Sequence, residues 1–256
     1  MTKQFWIQLK IDKLNKLLKK FKVYLLKEQF RPSFIGLFVN PFYFARKAIY
    51  NNIKFYAKNI TGTTLDIGCG SKPYASLFQT DKYIGMDIEV SGHKHTDSKI
   101  DVFYNGVEIP FKDDFFDSIV CFEVLEHVFN PDVFLTEAIR VLKPGGTAIF
   151  TVPFVWDEHE QPYDYARYSS FGLKFLFEKN GFKVAENRKY LCDLRFFTLL
   201  ANAYIYKIIR KLIPNKVSYL LILPLTTINN FLGHVFYLFP KNEDLYYGNI
   251  FLLKKY

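Results

Sequence analysis

Two glycines and an aspartate, each at the end of an expected strand, are the residues of this 256-residue chain best suited to hold a ligand. Gly68 and Gly70 follow the apolar run 63–67, and glycine lets the backbone approach a ligand where a side chain would collide. Asp87 ends the next run, 19 residues after Gly68, near the spacing at which an acidic residue receives ribose hydroxyls. Because Pro73 stands where a dinucleotide fingerprint needs its third glycine, the sequence disfavours a pyrophosphate site.

An aromatic and ionisable segment, residues 153–168, follows the fifth expected strand and is the candidate substrate mouth. His159 is the candidate general base there because its pKa lies near neutrality, and Asp164 is among the carboxylates that could orient it. Arg167 is a candidate to hold an acceptor's carboxylate or phosphate. The alternative is that these three residues form a hydrogen-bonded brace that holds the loop. His127 is a weaker candidate base.

The elements that must position these residues alternate along the centre of the chain. Short β-rich runs bounded by turn residues predict seven strands, at 63–67, 82–87, 100–104, 116–121, 146–152, 181–190 and 249–253. Helical patterns intervene, notably at 131–142 and 169–179. This alternation predicts an α/β fold with a doubly wound, mostly parallel sheet, whose ligands bind beyond the carboxyl ends of the strands.

Four motifs in order give the centre of the chain a family resemblance. They are LDIGCG (65–70), the strand that ends in Asp87, IPFKDDFFDSIVCFEVLEHV (109–128) and RVLKPGG (140–146). They resemble the successive motifs of class I S-adenosylmethionine-dependent methyltransferases, in particular the ubiquinone-biosynthesis-like type 11 group. The resemblance covers about residues 60–190. It implies a seven-stranded Rossmann-like sheet, an enzyme, and S-adenosyl-L-methionine as the cofactor.

The resemblance also implies roles for individual residues. The implied cofactor-binding set is Asp66, Gly68, Cys69, Gly70, Asp87, Ile88, Asn105, Cys121, Phe122 and Glu123. In this set the glycine loop and the three residues around the end of the fourth strand face the methionine part of the cofactor. Asp87 binds the ribose hydroxyls, and Ile88 lies against the adenine. Asn105 stands where many relatives have an acidic residue that contacts the adenine amino group, so here that contact carries no charge. The segment 143–146 is expected to be a structural turn into the fifth strand.

Charge divides the chain into an acidic centre and two basic arms. The net charge of +9 is made up of +11 in residues 1–60, −8 in 61–194 and +6 in 195–256. This distribution excludes a uniformly basic nucleic-acid coat and favours a core with attachments. We therefore expect a basic amphipathic helical arm at 1–60, a methyltransferase core at 61–194, a hydrophobic helical insertion at 195–248, and a final core strand at 249–256.

Both basic arms are also rich in apolar residues. In the first arm a helical stripe is formed by Ile7, Ile11, Leu14, Leu18, Phe21 and Leu25, and Arg31-Pro32 ends that helix. The stripe either packs on its own domain or lies on an anionic membrane surface. The second arm has no charged residue from 217 to 240, which is long enough to cross a bilayer. Its polar middle, with Pro224, argues against a span, so it is expected to cap the core or to dip into a membrane interface.

Cysteine usage bears on the compartment and on metal binding. Cys69, Cys121 and Cys192 are too few and too scattered for a disulfide framework or a zinc cluster. The sequence therefore indicates no metal site and a reduced, cytoplasmic location, at the inner face of the membrane if the arms bind lipid. The oligomeric state is left open.

The interpretation favoured by the sequence is methyl transfer from S-adenosyl-L-methionine to a small-molecule, lipid-linked or saccharide acceptor, by in-line displacement and with His159 as a possible base. One alternative is a methyltransferase that acts on RNA or another nucleic acid. Many enzymes that modify exocyclic base amines carry an Asp/Asn-Pro-Pro-aromatic segment where this chain has residues 122–125, FEVL, so this alternative is disfavoured. The other alternative is a membrane-associated protein that binds the cofactor without turnover.

Overall fold

A seven-stranded sheet forms the centre of the molecule. The computed structural model describes residues 3–89, 99–213 and 216–256. Its strands are β1 (Thr63–Ile67), β2 (Lys82–Ile88), β3 (Val102–Tyr104), β4 (Phe116–Phe122), β5 (Leu142–Pro153), β6 (Phe182–Tyr190) and β7 (Gly248–Lys255). They lie in the order β3-β2-β1-β4-β5-β7-β6. The pairs among β1 to β5 are parallel, and β7 runs antiparallel to both β5 and β6.

The strand order determines where ligands can bind. The chain builds outward from β1 to β3 in one direction and from β4 onward in the other, so the order reverses between β1 and β4. The loops that follow β1, β2 and β4 therefore meet at one edge of the sheet, which is where such folds bind ligands. The α/β fold with a mostly parallel seven-stranded sheet is confirmed, together with its N-terminal helices and the helical insertion before the last strand.

Seven α-helices accompany the sheet within the described residues. They are α1 (Lys3–Phe30), α2 (Gly36–Val39), α3 (Tyr43–Tyr56), α4 (Pro131–Val141), α5 (Ser170–Lys179), α6 (Arg195–Leu212) and α7 (Tyr219–Phe236). Helix α4 begins with a proline, and the Asn130 side chain before it accepts a hydrogen bond from Val133 N. Helix α1 ends directly before Arg31-Pro32, as the sequence indicates. The side chains of Ile7, Ile11, Leu18 and Phe21 lie outside the described residues, so the predicted stripe stays a prediction.

The sheet is covered on both faces because successive residues of a strand point to opposite sides. On one side Ile119 and Phe150 pack in a cluster with α4 and α5. On the other side their neighbours Val120 and Ile149 pack in a second cluster with α3 and α6. Strands buried on both faces read as nearly continuous apolar runs, which is why the sequence locates them so well.

The KPGG segment, residues 143–146, lies inside β5 rather than in a turn before it. Pairing with β4 passes from Phe116–Leu142 to Ser118–Thr147, so the four residues bulge opposite Asp117. Gly145 takes a positive φ of +76° there, and Lys143 Nζ donates to Asp117 Oδ1 at 2.6 Å. The expected turn is corrected to a bulge, because the pairing of Leu142 with Phe116 of β4 starts the strand earlier than the glycines suggest.

Helices α6 and α7 form a hairpin between β6 and β7, and buried asparagines join it to the N-terminal segment. Asn202 Nδ2 donates to Pro41 O at 2.8 Å and to Asn230 Oδ1 at 2.9 Å. Asn230 Nδ2 donates in turn to Leu37 O at 2.9 Å, and Asn229 Nδ2 donates to Asn202 Oδ1 at 2.8 Å. Because each of these amides is satisfied inside the protein, the hairpin is held against the core by hydrogen bonds.

Two phenylalanines of α5 test the packing of the first cluster. Phe177 is fully buried against Phe150 and Phe251, whereas Phe171 on the same helix is 81% exposed. Replacing Phe177 by alanine leaves a cavity, and we expect the free energy of unfolding to fall by about 3–5 kcal/mol. The control Phe171→Ala is expected to change it by less than about 0.5 kcal/mol in the same denaturant titration. Equal losses in the two variants would contradict this packing.

Candidate active site

The loop after β1 depends on two glycines. Gly68 has a φ of +71°, and a Cβ added to it would lie 2.3 Å from Val124 Cγ2. Gly68 and Cys69 both donate their backbone N–H groups to Met86 O, at 2.8 and 3.1 Å, which ties the loop to β2. Gly70 has a φ of +47°, and a Cβ added there would have no neighbour within 4 Å. The first glycine is thus required by close packing, and the second lies beside open space.

Asp87 holds this loop in place from the end of β2. Its Oδ2 accepts the backbone N–H of Gly70 at 2.9 Å, and its Oδ1 accepts that of Ile88 at 2.9 Å. The side chain is half-buried, and each carboxylate oxygen has a second lone pair. Asp87 can therefore accept further hydrogen bonds from a diol while it anchors the glycine loop.

Asp66 lies near the end of β1 and Cys69 lies within the glycine loop, and both residues are buried. Asp66 accepts a 2.7 Å hydrogen bond from Tyr83 OH, and burial raises its pKa to about 7. A cation beside Asp66 would favour the charged form of this carboxyl, as the methionine end of the predicted cofactor would. Burial, followed by the charge of Asp66, raises the pKa of the Cys69 thiol, so this cysteine stays protonated and is no nucleophile.

The side chain of Asn105 stabilises the turn in which this residue lies. Its Oδ1 accepts the backbone N–H groups of Val107 and Glu108, each at 2.9 Å, and the residue is exposed. This Asx-type turn leads from β3 toward the IPF motif. The oxygen expected to contact the adenine is therefore already engaged. Ile88, by contrast, is half-buried at the end of β2, as its expected place against the adenine requires.

The three residues around the end of β4 separate into different environments. Cys121 is fully buried in the core, and Phe122 packs against the rings of Tyr74 and Phe78. Glu123 adopts a positive φ of +55°, a strained conformation for a residue with a side chain. Its Oε1 and Oε2 accept hydrogen bonds from Tyr190 OH at 3.1 Å and Tyr247 OH at 3.3 Å. Burial nevertheless raises the pKa of Glu123.

In the loop after β5, the three predicted catalytic residues do lie together. Arg167 donates from its two terminal nitrogens to both oxygens of Asp164, at 2.6 Å each. Asp164 Oδ2 also accepts the backbone N–H of His159 at 3.0 Å and lies 3.3 Å from His159 Nδ1. His159 Nδ1 is 3.2 Å from Asp157 O. Asp164 and Arg167 thus bind each other and orient His159, which matches the brace considered for the loop.

The His159 ring is suited to accept a proton. Burial, followed by the neighbouring His127, lowers the pKa of His159 below its ordinary value of 6.5, so the ring is neutral at pH 7. Because Nδ1 faces Asp157 O and Asp164, Nε2 is the nitrogen left to act on an acceptor. Hydrogen bonds from Arg167 and from the His159 backbone lower the pKa of Asp164 to about 2 despite the opposing effect of its burial, so this carboxylate stays charged.

Sequence reasoning missed one group, the carboxyl of Glu126. Glu126 is fully buried in the turn after β4, and no hydrogen bond from a described residue reaches either of its carboxyl oxygens. Burial and the nearby Glu123 raise the pKa of Glu126 well above its usual range. An unpartnered buried carboxyl is costly, and it is the kind of group that a proton or a cation must satisfy.

Glu126, His127 and His159 offer three metal-ligand atoms within 4.8 Å of one another. His127 Nδ1 lies 2.8 Å from Tyr163 O, so that ring is oriented in the way that outer hydrogen bonds orient metal-binding histidines. Two imidazoles and a carboxylate could hold a divalent cation such as Mn²⁺ or Zn²⁺. No metal site is expected from the sequence. The adjacent pair Glu126-His127 after the fourth strand is the signal that could have indicated one.

Three groups at this edge fit S-adenosyl-L-methionine. The glycine loop leaves open space beside Gly70, and the Asp87 carboxylate lies at that loop with capacity for further hydrogen bonds. Asp66, whose buried carboxyl would become charged beside a cation, is the third matching group. Asp87 would hold the ribose hydroxyls, and the loop with Asp66 would hold the methionine end.

A model of the methyltransferase domain family matches residues 41–187, more than half of the chain. The chain belongs to this methyltransferase family. It is 32% identical over 95 residues to a probable S-adenosylmethionine-dependent methyltransferase of Mycolicibacterium smegmatis, covering 35% of this chain and 37% of that protein. It is 34% identical over 94 residues to a ubiquinone biosynthesis O-methyltransferase of Agrobacterium fabrum, covering 32% of this chain and 37% of that protein. The matched part thus spans little more than a third of either relative.

A solved structure shares the fold. Phosphoethanolamine N-methyltransferase 2 of Haemonchus contortus, in complex with S-adenosyl-L-methionine, superposes with a TM-score of 0.52 at 18% sequence identity. The match covers 89% of this methyltransferase-family chain and 58% of that one. The identification as an S-adenosylmethionine-dependent methyltransferase is confirmed at the level of the family by the family model and the Mycolicibacterium relative. The solved structure shows the shared fold. The roles of the individual site residues stay predictions.

Asp87 offers a direct test of the cofactor site. Asp87→Ala removes the acceptor of the Gly70 N–H as well as the expected ribose contact, and hydrogen bonds to charged groups contribute about 1.5–3 kcal/mol each. We therefore expect the dissociation constant for S-adenosyl-L-methionine, measured by calorimetry, to rise at least about tenfold. The exposed Asp81→Ala is the control and should bind as the wild type does. A wild type that does not bind the cofactor would contradict the site itself.

Proposed function

We propose that this protein transfers the methyl group of S-adenosyl-L-methionine to a hydroxyl oxygen of a small-molecule, lipid-linked or saccharide acceptor. The observation that carries the proposal is the neutral, oriented imidazole of His159 in the loop after β5. The name of the Agrobacterium relative, an O-methyltransferase, supports oxygen as the acceptor atom. When bound, S-adenosyl-L-methionine supplies a methyl group on a cationic sulfur, which leaves as a neutral thioether as the new oxygen–carbon bond forms.

The chain's own residues would supply orientation and a place for the proton. Nε2 of His159 takes the hydroxyl proton, while Nδ1–H donates toward Asp157 O and Asp164. The charged Asp164 stabilises the imidazolium that forms, and Arg167 keeps Asp164 in position. The proton then passes to solvent, because His159 is still partly exposed. Holding the acceptor in line with the methyl group supplies the rest of the rate enhancement.

Removal of the imidazole tests this role of His159. The substrate assay is transfer of labelled methyl groups into a cell extract that is then separated into lipid, glycan and RNA fractions. Since a positioned base contributes about 10²–10⁴-fold, His159→Ala should lower turnover by that factor. Its affinity for S-adenosyl-L-methionine should stay within about twofold of the wild type. The matched control is His234→Ala in α7, which should leave turnover unchanged.

Three outcomes would count against the proposal. Unchanged turnover in His159→Ala would remove the base. Label that appears only in the RNA fraction would favour the nucleic-acid alternative. A wild type that binds the cofactor but labels no fraction would favour a cofactor-binding protein without turnover.

The cluster of Glu126, His127 and His159 favours a second candidate, in which a divalent cation lowers the pKa of the acceptor hydroxyl. We expect Mn²⁺ or Zn²⁺ to raise the Tm of the protein and a chelator to reverse the shift. Glu126→Gln keeps the shape of the side chain but loses the charge, so its Tm should not respond to either ion. The matched control is Glu137→Gln, which changes a carboxylate outside the cluster and should keep the response. If neither the Tm nor the activity of the wild type changes on addition of metal or chelator, the metal candidate is contradicted. Glu126 is then a buried protonated acid.

We also propose a cytoplasmic protein with a peripheral contact to an anionic membrane. The basic charge of the two arms supports this location, because clustered Lys and Arg residues are attracted to anionic lipid surfaces. One helix of the described residues, in the stretch Lys216–Phe236, is long and apolar enough to cross a membrane by length and composition. Only 22% of that stretch is buried in the protein.

A further inference from the structure

Helix α7 carries its polar residues inward and its apolar residues outward. Its inward face has Thr226, Asn230 and Gly233, all buried, together with Ile222. Its outward face has five large apolar residues that are 46–61% exposed: Leu221, Leu225, Ile228, Leu232 and Val235. Their spacing alternates between four and three residues, so they form one continuous stripe. A helix of a water-soluble domain shows the opposite arrangement, with the apolar stripe against the core.

The stripe is part of a larger apolar surface, which we call the outer face. The ring of Phe231 in α7 contacts Phe38, and Phe38 contacts Phe34, with centroid distances of 5.5 and 5.8 Å. Phe34 is 68% exposed and Phe38 is 42% exposed. Helix α6, the other helix of the hairpin, also exposes Tyr204 and Leu212, at 70% and 74%. Contiguous exposed apolar patches of this kind mark interaction sites.

The inward contacts of the hairpin resemble those between helices in lipid. Asn202 and Asn230 hydrogen-bond across the helix pair, and the Gly233 backbone lies so close to α3 that an added Cβ would be 2.3 Å from the Phe44 ring. Small residues and amide hydrogen bonds are what hold helices together where apolar side chains face lipid. The packing of α7 therefore leaves its apolar side chains free for an apolar environment outside the protein.

Charge indicates what covers the outer face. Residues 194–242, which contain the whole hairpin, have six Lys or Arg and no Asp or Glu. Arg210, Lys211 and Lys216 are all exposed around the tip of the hairpin. A second copy of this surface would bring like charges together, whereas an anionic bilayer offers both apolar chains and negative headgroups. The charge pattern fits an anionic lipid surface.

The hydrogen bonds of the inward face determine how the hairpin can meet the bilayer. Asn202 and Asn230 bind the backbone of the N-terminal segment at Pro41 and Leu37. A helix that crossed a membrane would have to leave these partners, and their amides would be unsatisfied in hydrocarbon. The hairpin that stays bound to the core exposes only its outer face, so it lies in the plane of the interface.

The hairpin also contacts the loop that carries the candidate base. Lys207 Nζ binds Asp157 Oδ2 at 2.8 Å, two residues before His159. The ring of Tyr206 contacts Phe42, which contacts Trp156 of the same loop, with centroid distances of 5.2 and 5.6 Å. A surface on which the hairpin rests would therefore lie next to the loop after β5, which carries His159.

We propose that the outer face of the α6–α7 hairpin docks on an anionic phospholipid bilayer and that the methyl acceptor is an amphiphile held in that bilayer. Docking itself is independent of the chemistry, while the amphiphilic acceptor rests on the proposed methyl transfer. The apolar stripe enters the boundary between headgroups and acyl chains, and the basic tip binds lipid phosphates. The acceptor then reaches the loop after β5 without leaving the membrane.

The docking test compares two double variants that remove equal numbers of exposed apolar side chains. Ile228→Gln with Leu232→Gln changes the outer face, and Phe171→Gln with Phe175→Gln changes α5, where the two rings are 81% and 70% exposed. The probe is sedimentation of the full chain with vesicles of phosphatidylcholine, with and without phosphatidylglycerol. We expect the wild type and the α5 variant to bind anionic vesicles, and the outer-face variant to bind at least about tenfold more weakly. Salt should weaken binding, because the basic tip is screened.

Several results would overturn docking. They are equal binding by both variants, equal binding to neutral and anionic vesicles, or no binding by the wild type. Self-association in analytical ultracentrifugation that only the outer-face variant loses, without vesicle binding, would assign the face to a second copy. Circular dichroism and Tm measurements show whether the outer-face variant is folded, and its outward side chains predict an unchanged Tm. Should that variant unfold, Lys211→Glu with Lys216→Glu at the tip replaces it, with the same expected loss.

The acceptor half has its own readout. With acceptor lipids in anionic vesicles, the outer-face variant should lose turnover in proportion to its lost binding, while its affinity for S-adenosyl-L-methionine stays unchanged. Equal turnover by the variant and the wild type would remove the membrane acceptor and leave docking standing. A wild type that docks but methylates no fraction of the extract would contradict the proposed function and not the docking surface.

Discussion

The close approach of the β1 and β4 loops is the constraint on which the rest of the site depends. Gly68 turns the chain at a φ of +71° directly against the Val124 side chain, so the two loops leave the sheet in contact. This contact requires glycine at 68 and comes with the strained backbone of Glu123. It also places the turn that carries Glu126 and His127 beside the cofactor loop. The predicted cofactor residues and the proposed acceptor residues therefore belong to one packing arrangement.

Buried carboxyl groups are the electrostatic feature that the parts of this arrangement share. Asp66, Glu123 and Glu126 all have raised pKa values because burial removes water from them. Tyrosine hydroxyls donate hydrogen bonds to Glu123 and Asp66. No described residue donates a hydrogen bond to the Glu126 carboxyl, and His127 Nε2 lies 3.8 Å from its Oε1. A site of this kind is incomplete without positive charge, which a sulfonium, a proton or a metal ion could each supply. The net charge of residues 61–194 does not show this feature. What matters at the site is that several of these carboxyl groups are buried.

The parts that the sequence predicts well are those set by local periodicity. All seven strands were located. Strands such as β1 and β4 are buried on both faces and form short apolar runs, whereas the mostly exposed β6 was located by the turn residues that bound it. The glycine loop and Asp87 were found because strand ends have recognisable residues. The cluster of Glu126 and His159 was not found, because these residues are 33 positions apart and only the folded loop after β5 brings them together. The contact of Asn105 with adenine stays a prediction, and the sequence could not show that the Asn105 side-chain oxygen also accepts backbone N–H groups of its own turn.

The orientation of α7 is the other feature that the sequence could not predict. It explains why the sequence of the second arm fits no single class of helix. A stretch without charges but with Thr226, Asn230 and Pro224 in its middle fits neither a soluble core helix nor a lipid span. The structure resolves this by turning the polar residues inward, where amides and backbone carbonyls pair, and the leucines outward. A helix that satisfies its polar groups against protein and leaves its apolar groups unsatisfied needs a partner that is itself apolar. The proposed bilayer surface would meet that need without breaking the hydrogen bonds that hold the hairpin to the methyltransferase core.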